Sequence, residues 1–100
     1  MKQIEVVIFM GLQDKFQEIL EEEKVDEYFM TPKVIGKLAG TDPKLDTHIW
    51  PGYFVQYQFC LDDKKYESFR KKIEKNKDTW IREGFLLTVK EIEERCGGCS

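Results

Sequence analysis

The order of local patterns constrains this chain more than any single residue: strand, helix, strand, strand, helix, strand. Residues 3–10, QIEVVIFM, are β-branched and aromatic, with Ile4, Val6, Ile8 and Met10 on one face and Glu5, Val7 and Phe9 on the other. Gly11 breaks the run. Leu12, Phe16, Ile19 and Leu20, with Glu23 beyond them, then recur at the spacing of an amphipathic helix of about three turns. The acidic string Glu21-Glu22-Glu23 falls at that helix's C-terminal end, where the macrodipole disfavours negative charge, and nothing in the sequence accounts for it. Residues 25–38 read as a second extended segment, in which Pro32 imposes an edge position, a bend or a bulge. Alternation returns over residues 53–61, with Tyr53, Val55, Tyr57, Phe59 and Leu61 set against Phe54, Gln56, Gln58 and Cys60. Asp62 and Asp63 suit a helix N-terminus. Tyr66, Phe69 and Ile73 form the next buried stripe, Trp80 and Ile81 lie near its end, Gly84 stops it, and residues 85–89 make the last strand.

That order predicts an α+β fold of the split βαβ, or ferredoxin-like, kind: a βαββαβ sandwich whose antiparallel sheet carries two helices on one face. A chain of 100 residues has room for one core, expected over residues 1–95, with CGGCS at 96–100 as a flexible tail. The helices cover one face of the sheet only. Val7, Phe9 and one side of the third strand make the other face apolar too, and a contiguous exposed apolar face marks an interface. Self-association through the open face is the expected resolution.

With 41% hydrophobic, 13% aromatic and 35% charged residues, the chain is expected to be a soluble folded domain. A net charge of −3 weighs against nucleic acid as a partner. Lys71, Lys72, Lys75 and Lys77 are interleaved with Glu67, Glu74 and Asp78, as on a solvated helix face. The opening MKQIEVVIFMGL is not a signal peptide, and no run approaches the ~20 apolar residues of a membrane span, so the cytoplasm is the expected compartment. Three cysteines do not make a disulfide framework.

The residues hardest to explain as scaffold lie between the second and third strands. Gly36, Lys37 and Gly40 offer a backbone that a ligand can approach closely, although no GxGxxG or P-loop pattern is present. Thr47-His48-Ile49-Trp50-Pro51-Gly52 holds the only histidine beside an indole; an imidazole can meet an anion or a metal, and an indole can stack on a ring. Thr47, His48 and Trp50 are therefore candidate ligand contacts. Cys96 and Cys99 form a CxxC that supplies two thiolates for a soft metal or a redox pair, with His48 as a further metal ligand on that reading. Cys60 is expected to be a small buried residue. With one histidine and no serine near it, no nucleophile–base pair can be built, and the chain is read as a non-enzyme.

At this point the sequence resembles the PII-type signalling proteins and their PII-like relatives, in the superfamily that also holds the CutA proteins. The resemblance runs from MKQIEVVIF to the last strand and rests on element order and on KVIGKLAGTDPKLDTHIWPGY, which sits where PII proteins carry a glycine-containing second strand and a mobile T-loop. It implies a homotrimer whose sheets face inward and a small effector, such as an adenine nucleotide, held in clefts between subunits. It also implies a loop at residues 39–52 that signals to a membrane transporter or an enzyme. The chain departs from the nitrogen-regulatory members in three places. Its loop is shorter, KNKDTWIREGF lacks their glycine- and lysine-rich phosphate turn, and KEIEERCGGC replaces their basic C-terminal segment. The ligand therefore stays open between an adenine nucleotide and, on a CutA-type reading, a soft metal ion.

Overall fold

The computed structural model describes residues 1–93, 95 and 96. Its elements are β1 (Lys2–Phe9), a 3-10 turn (Met10–Leu12), α1 (Gln13–Glu22), β2 (Phe29–Val34), β3 (Phe54–Leu61), α2 (Asp63–Glu83) and β4 (Phe85–Glu91). The strands form one antiparallel sheet in the order β2-β3-β1-β4, the ferredoxin-like α+β arrangement. The central strand carries the core. Ile4 lies opposite Phe59 and Val89, Val6 opposite Tyr57 and Leu87, and Ile8 opposite Val55 and Phe85. Ile4, Val6 and Ile8 are fully buried, together with Phe16 of α1 and Phe69 of α2. Phe16 is the hub: its ring centroid lies 4.8 Å from that of Tyr57, 6.2 Å from Phe69 and 6.4 Å from Trp80.

The acidic string that was unaccountable in sequence is explained by the second helix. Glu22 and Glu23 both reach the ammonium of Lys72 on α2, and Ser68 Oγ donates to Glu23 Oε1 at 3.0 Å. The unfavourable helix-end charges thus tie α1 to α2. The boundaries of α2 follow from its terminal residues. Asp62 Oδ1 accepts from the Lys65 amide at 2.7 Å, and at the other end the Gly84 amide donates to the Trp80 carbonyl at 2.9 Å with Gly84 at φ +126°. Replacing the cap, Asp62→Ala, is expected to lower stability by about 1 kcal/mol, read as a fall in the urea midpoint with an unchanged slope.

Several local expectations need correction. The second strand is shorter than residues 25–38. Val25 is buried and its amide returns to the Leu20 carbonyl, while the pairing of β2 with β3 shifts register between Thr31 and Val34, around Pro32. Met10 leaves the core face of β1 because the chain has already turned, and it is exposed. Cys60 is half-buried and belongs to the open face of the sheet, opposite Gln3. That open face is apolar in patches: Phe9 lies opposite Phe54, Val7 opposite Leu86, and the exposed Phe29 of β2 lies opposite Gln58, but Glu5 lies between Gln58 and Thr88. No helix among the described residues is long and apolar enough to cross a membrane.

Candidate functional site

The segment between β2 and β3 folds back on itself twice. Gly36 and Lys44 exchange both backbone hydrogen bonds, at 2.9 and 2.8 Å. Inside that bridge the amide and hydroxyl of Thr41 both donate to the Leu38 carbonyl, and Gly40 turns the chain at φ +79°. A second turn follows. The amides of Leu45 and Thr47 donate to the Trp50 carbonyl, the Asp46 amide donates to that of Gly52, and the Trp50 amide donates to Thr47 Oγ1 at 3.0 Å. Asp46 adopts φ +55° here, a conformation that aspartate tolerates better than most residues. Its carboxylate pairs with Lys33 of β2, and that hydrogen bond and charge hold the Lys33 ammonium above the ordinary lysine range.

The base of this loop meets two other connections at one end of the sheet. The Phe9 amide donates to the Gly84 carbonyl and the Met10 amide to the Tyr53 carbonyl. A Cβ on Gly84 would stand 3.0 Å from the Phe54 ring, and one on Gly52 would stand 3.3 Å from the Phe9 ring. Over this aromatic floor sits Lys44, with Nζ 5.0 Å from the Phe9 centroid and 5.5 Å from that of Phe54. Ring faces attract a cation, yet they do not neutralise it. Lys44 is half-buried and, among the described residues, has no ion pair. Lys33 lies over the Tyr53 ring in the same way, at 5.2 Å. The arrangement presents a positive centre on an aromatic ledge, which suits a small anion or an anionic ring system.

The predicted residues divide between the two turns. Gly36 forms the first bridge, Gly40 shapes its tip and Lys37 is exposed beside it. Thr47 and Trp50 close the second turn on each other, leaving His48 exposed between them. Sequence reasoning missed Lys44, Phe9 and Phe54, because only the Gly36–Lys44 pairing carries the ammonium back to β1 and β3. The soft-metal alternative gains nothing. Cys96 is exposed, Cys99 lies outside the described residues, and among the described residues no three His, Cys, Asp or Glu side chains gather to hold a metal.

The chain has the fold of the PII-like proteins. No family model matches its sequence and no curated protein does, so the likeness is one of structure. The nitrogen regulatory PII-like protein CPII of Thiomonas intermedia K12, bound to ADP, AMP and bicarbonate, superposes with a TM-score of 0.72 over 96% of this chain and 93% of its own, at 10% identity. Its structure with ADP and bicarbonate gives a TM-score of 0.68 over 91% and 84%, at 12% identity. A candidate PII-like signalling protein of Thermus thermophilus gives 0.62 over 89% and 83%, at 11% identity.

Proposed function

We propose that this chain is a PII-like regulatory protein that binds a small anionic effector, an adenine nucleotide first among the candidates, in clefts between the subunits of a homotrimer. The observation that carries this reading is the shared fold over nearly the whole chain with a protein held with ADP, AMP and bicarbonate. The end of the sheet where Phe9, Gly84 and the base of the long loop converge supports it. There Lys44 offers a charge for the anion, and Gly36, Lys37 and Gly40 offer backbone that a ligand can approach. Residues 39–52, with Thr47, His48 and Trp50 in the second turn, then carry the bound state to a transporter or enzyme in the cytoplasm. Catalysis has no place in this reading.

Native mass spectrometry and calorimetry with ADP, AMP and bicarbonate test it together. The expected result is a trimer with saturable binding of at least one of the three, weakened about ten-fold in Lys44→Ala, as loss of one charge-assisted contact of ~1.4 kcal/mol requires. A monomer that binds none of them at millimolar concentration overturns the reading.

A further inference from the structure

On the helical side of the molecule, α1 and α2 enclose a groove of about 290 Å³. Two stripes face each other across it. Lys15, Glu18, Ile19 and Glu22 come from α1, and Lys72, Lys75, Asn76 and Trp80 from α2, each stripe spaced by the three and four residues that share a helix face. We propose that this groove binds an acidic amino acid, a molecule with two carboxylates and one ammonium, at a site separate from the Lys44 ledge.

The helices are held antiparallel at both ends of the groove. Lys72 reaches Glu22 and Glu23 at one end, and the Phe16 and Trp80 rings meet at the other, with centroids 6.4 Å apart. Glu18 and Lys75 therefore fall at the level between those two contacts. Ile19 and Trp80, 7% and 1% exposed, give the groove an apolar floor. Its polar wall is set before anything binds: Asn76 Nδ2 donates to the Lys72 carbonyl at 3.3 Å, which leaves Oδ1 as an acceptor.

Charge decides the ligand. Among the charged side chains that line the groove, Glu22 and Lys72 neutralise each other. Lys15, Glu18 and Lys75 take part in no ion pair and no side-chain hydrogen bond among the described residues. Two ammoniums and one carboxylate are thus uncommitted, and their complement is two carboxylates and one ammonium. Lys15 and Lys75 each meet a carboxylate, Glu18 and Asn76 Oδ1 accept from the ammonium, and the methylenes lie over Ile19 and Trp80. A polyphosphate is repelled by Glu18 and Glu22, and a basic amino acid leaves one lysine facing its own sign. Exposed charge pairs are individually weak, so a dissociation constant on the order of 1 mM is expected. The groove lies on the face of the sheet away from Val7, where the trimeric reading leaves it open to solvent. The inference does not rest on the nucleotide reading.

NMR titration of isotope-labelled protein with glutamate, aspartate, glutarate and alanine tests it. Glutarate lacks the ammonium and alanine the second carboxylate. Saturable shifts of the Trp80 indole and the Asn76 side-chain amide are expected with glutamate or aspartate, with glutarate and alanine bound about three-fold more weakly or worse. Lys75→Ala is expected to weaken glutamate binding by about three-fold, the loss of one exposed ion pair. Glu18→Gln is expected to abolish the preference for glutamate over glutarate without weakening glutarate. Both substitutions fall at exposed positions, so the fold is kept. No saturable shift of these two groups at tens of millimolar, equal affinity for all four compounds, or shifts confined to the Lys44 end overturns the proposal. Adenine nucleotide binding, followed in the same samples at the Lys44 end, reports on the other reading alone, so the two can fail separately.

Discussion

Phe16→Ala is expected to cost about 3–5 kcal/mol of folding free energy, the range for truncating a buried aromatic side chain. Phe16 has no solvent exposure and its ring touches partners from every layer: Tyr57 and Phe59 from β3, and Phe69 and Trp80 from α2. Alanine leaves a cavity where α1, α2 and the sheet meet, and these neighbours cannot all collapse into it because each is held by its own element. Native domains hold only ~5–15 kcal/mol in reserve, so the variant sits close to unfolding. Urea denaturation followed by tryptophan fluorescence measures the loss. A cost below about 1 kcal/mol would mean that Phe16 is not the hub that its ring contacts describe.

Val7→Asp addresses assembly instead of folding. Val7 lies on the open face of β1, opposite Leu86 of β4, and is half-buried in the single chain. In the proposed trimer the sheets face inward and this side chain is covered. An uncompensated carboxylate at such a seam costs about 3–5 kcal/mol, enough to dissociate it at micromolar concentration. Sedimentation velocity of wild type and variant is the measurement, with far-UV dichroism showing that the subunit stays folded. A variant that sediments as the wild type does would move the seam away from Val7. Because Glu5 is already a charge set between Gln58 and Thr88, Glu5→Lys should perturb assembly far less.

Most of the architecture was legible in sequence because it follows from short-range periodicity. The alternation over residues 53–61 fixed which side of β3 meets the helices, and Tyr57, Phe59 and Leu61 are buried as that alternation requires. Asp62 and Gly84 bounded α2 through chemistry local to its ends. Other features needed partners far along the chain. The Glu22 and Glu23 charges make sense only once Lys72 is beside them, some fifty positions on. The Lys44 seat depends on the backbone bridge to Gly36 and on rings from β1 and β3, so no window of residues 39–52 could reveal it. The glycines and the Thr47–Trp50 string marked the right segment through their turn chemistry, but not the groups that the turns would bring together.

The edge formed by β2 has a consequence for solubility in crowded conditions. An unpaired strand edge invites a further strand, and repeated invitation produces fibres. Pro32 has no amide to donate, and the register of β2 slips beside it, so that edge is a poor template for another chain. The edge formed by β4 carries no proline. Sheet growth by repeated edge addition needs a receptive strand on both sides of every copy, and here one side refuses. Strand addition at β4 therefore stops after one step, which leaves the protein free to keep an open edge without the hazard of amyloid-like polymerisation.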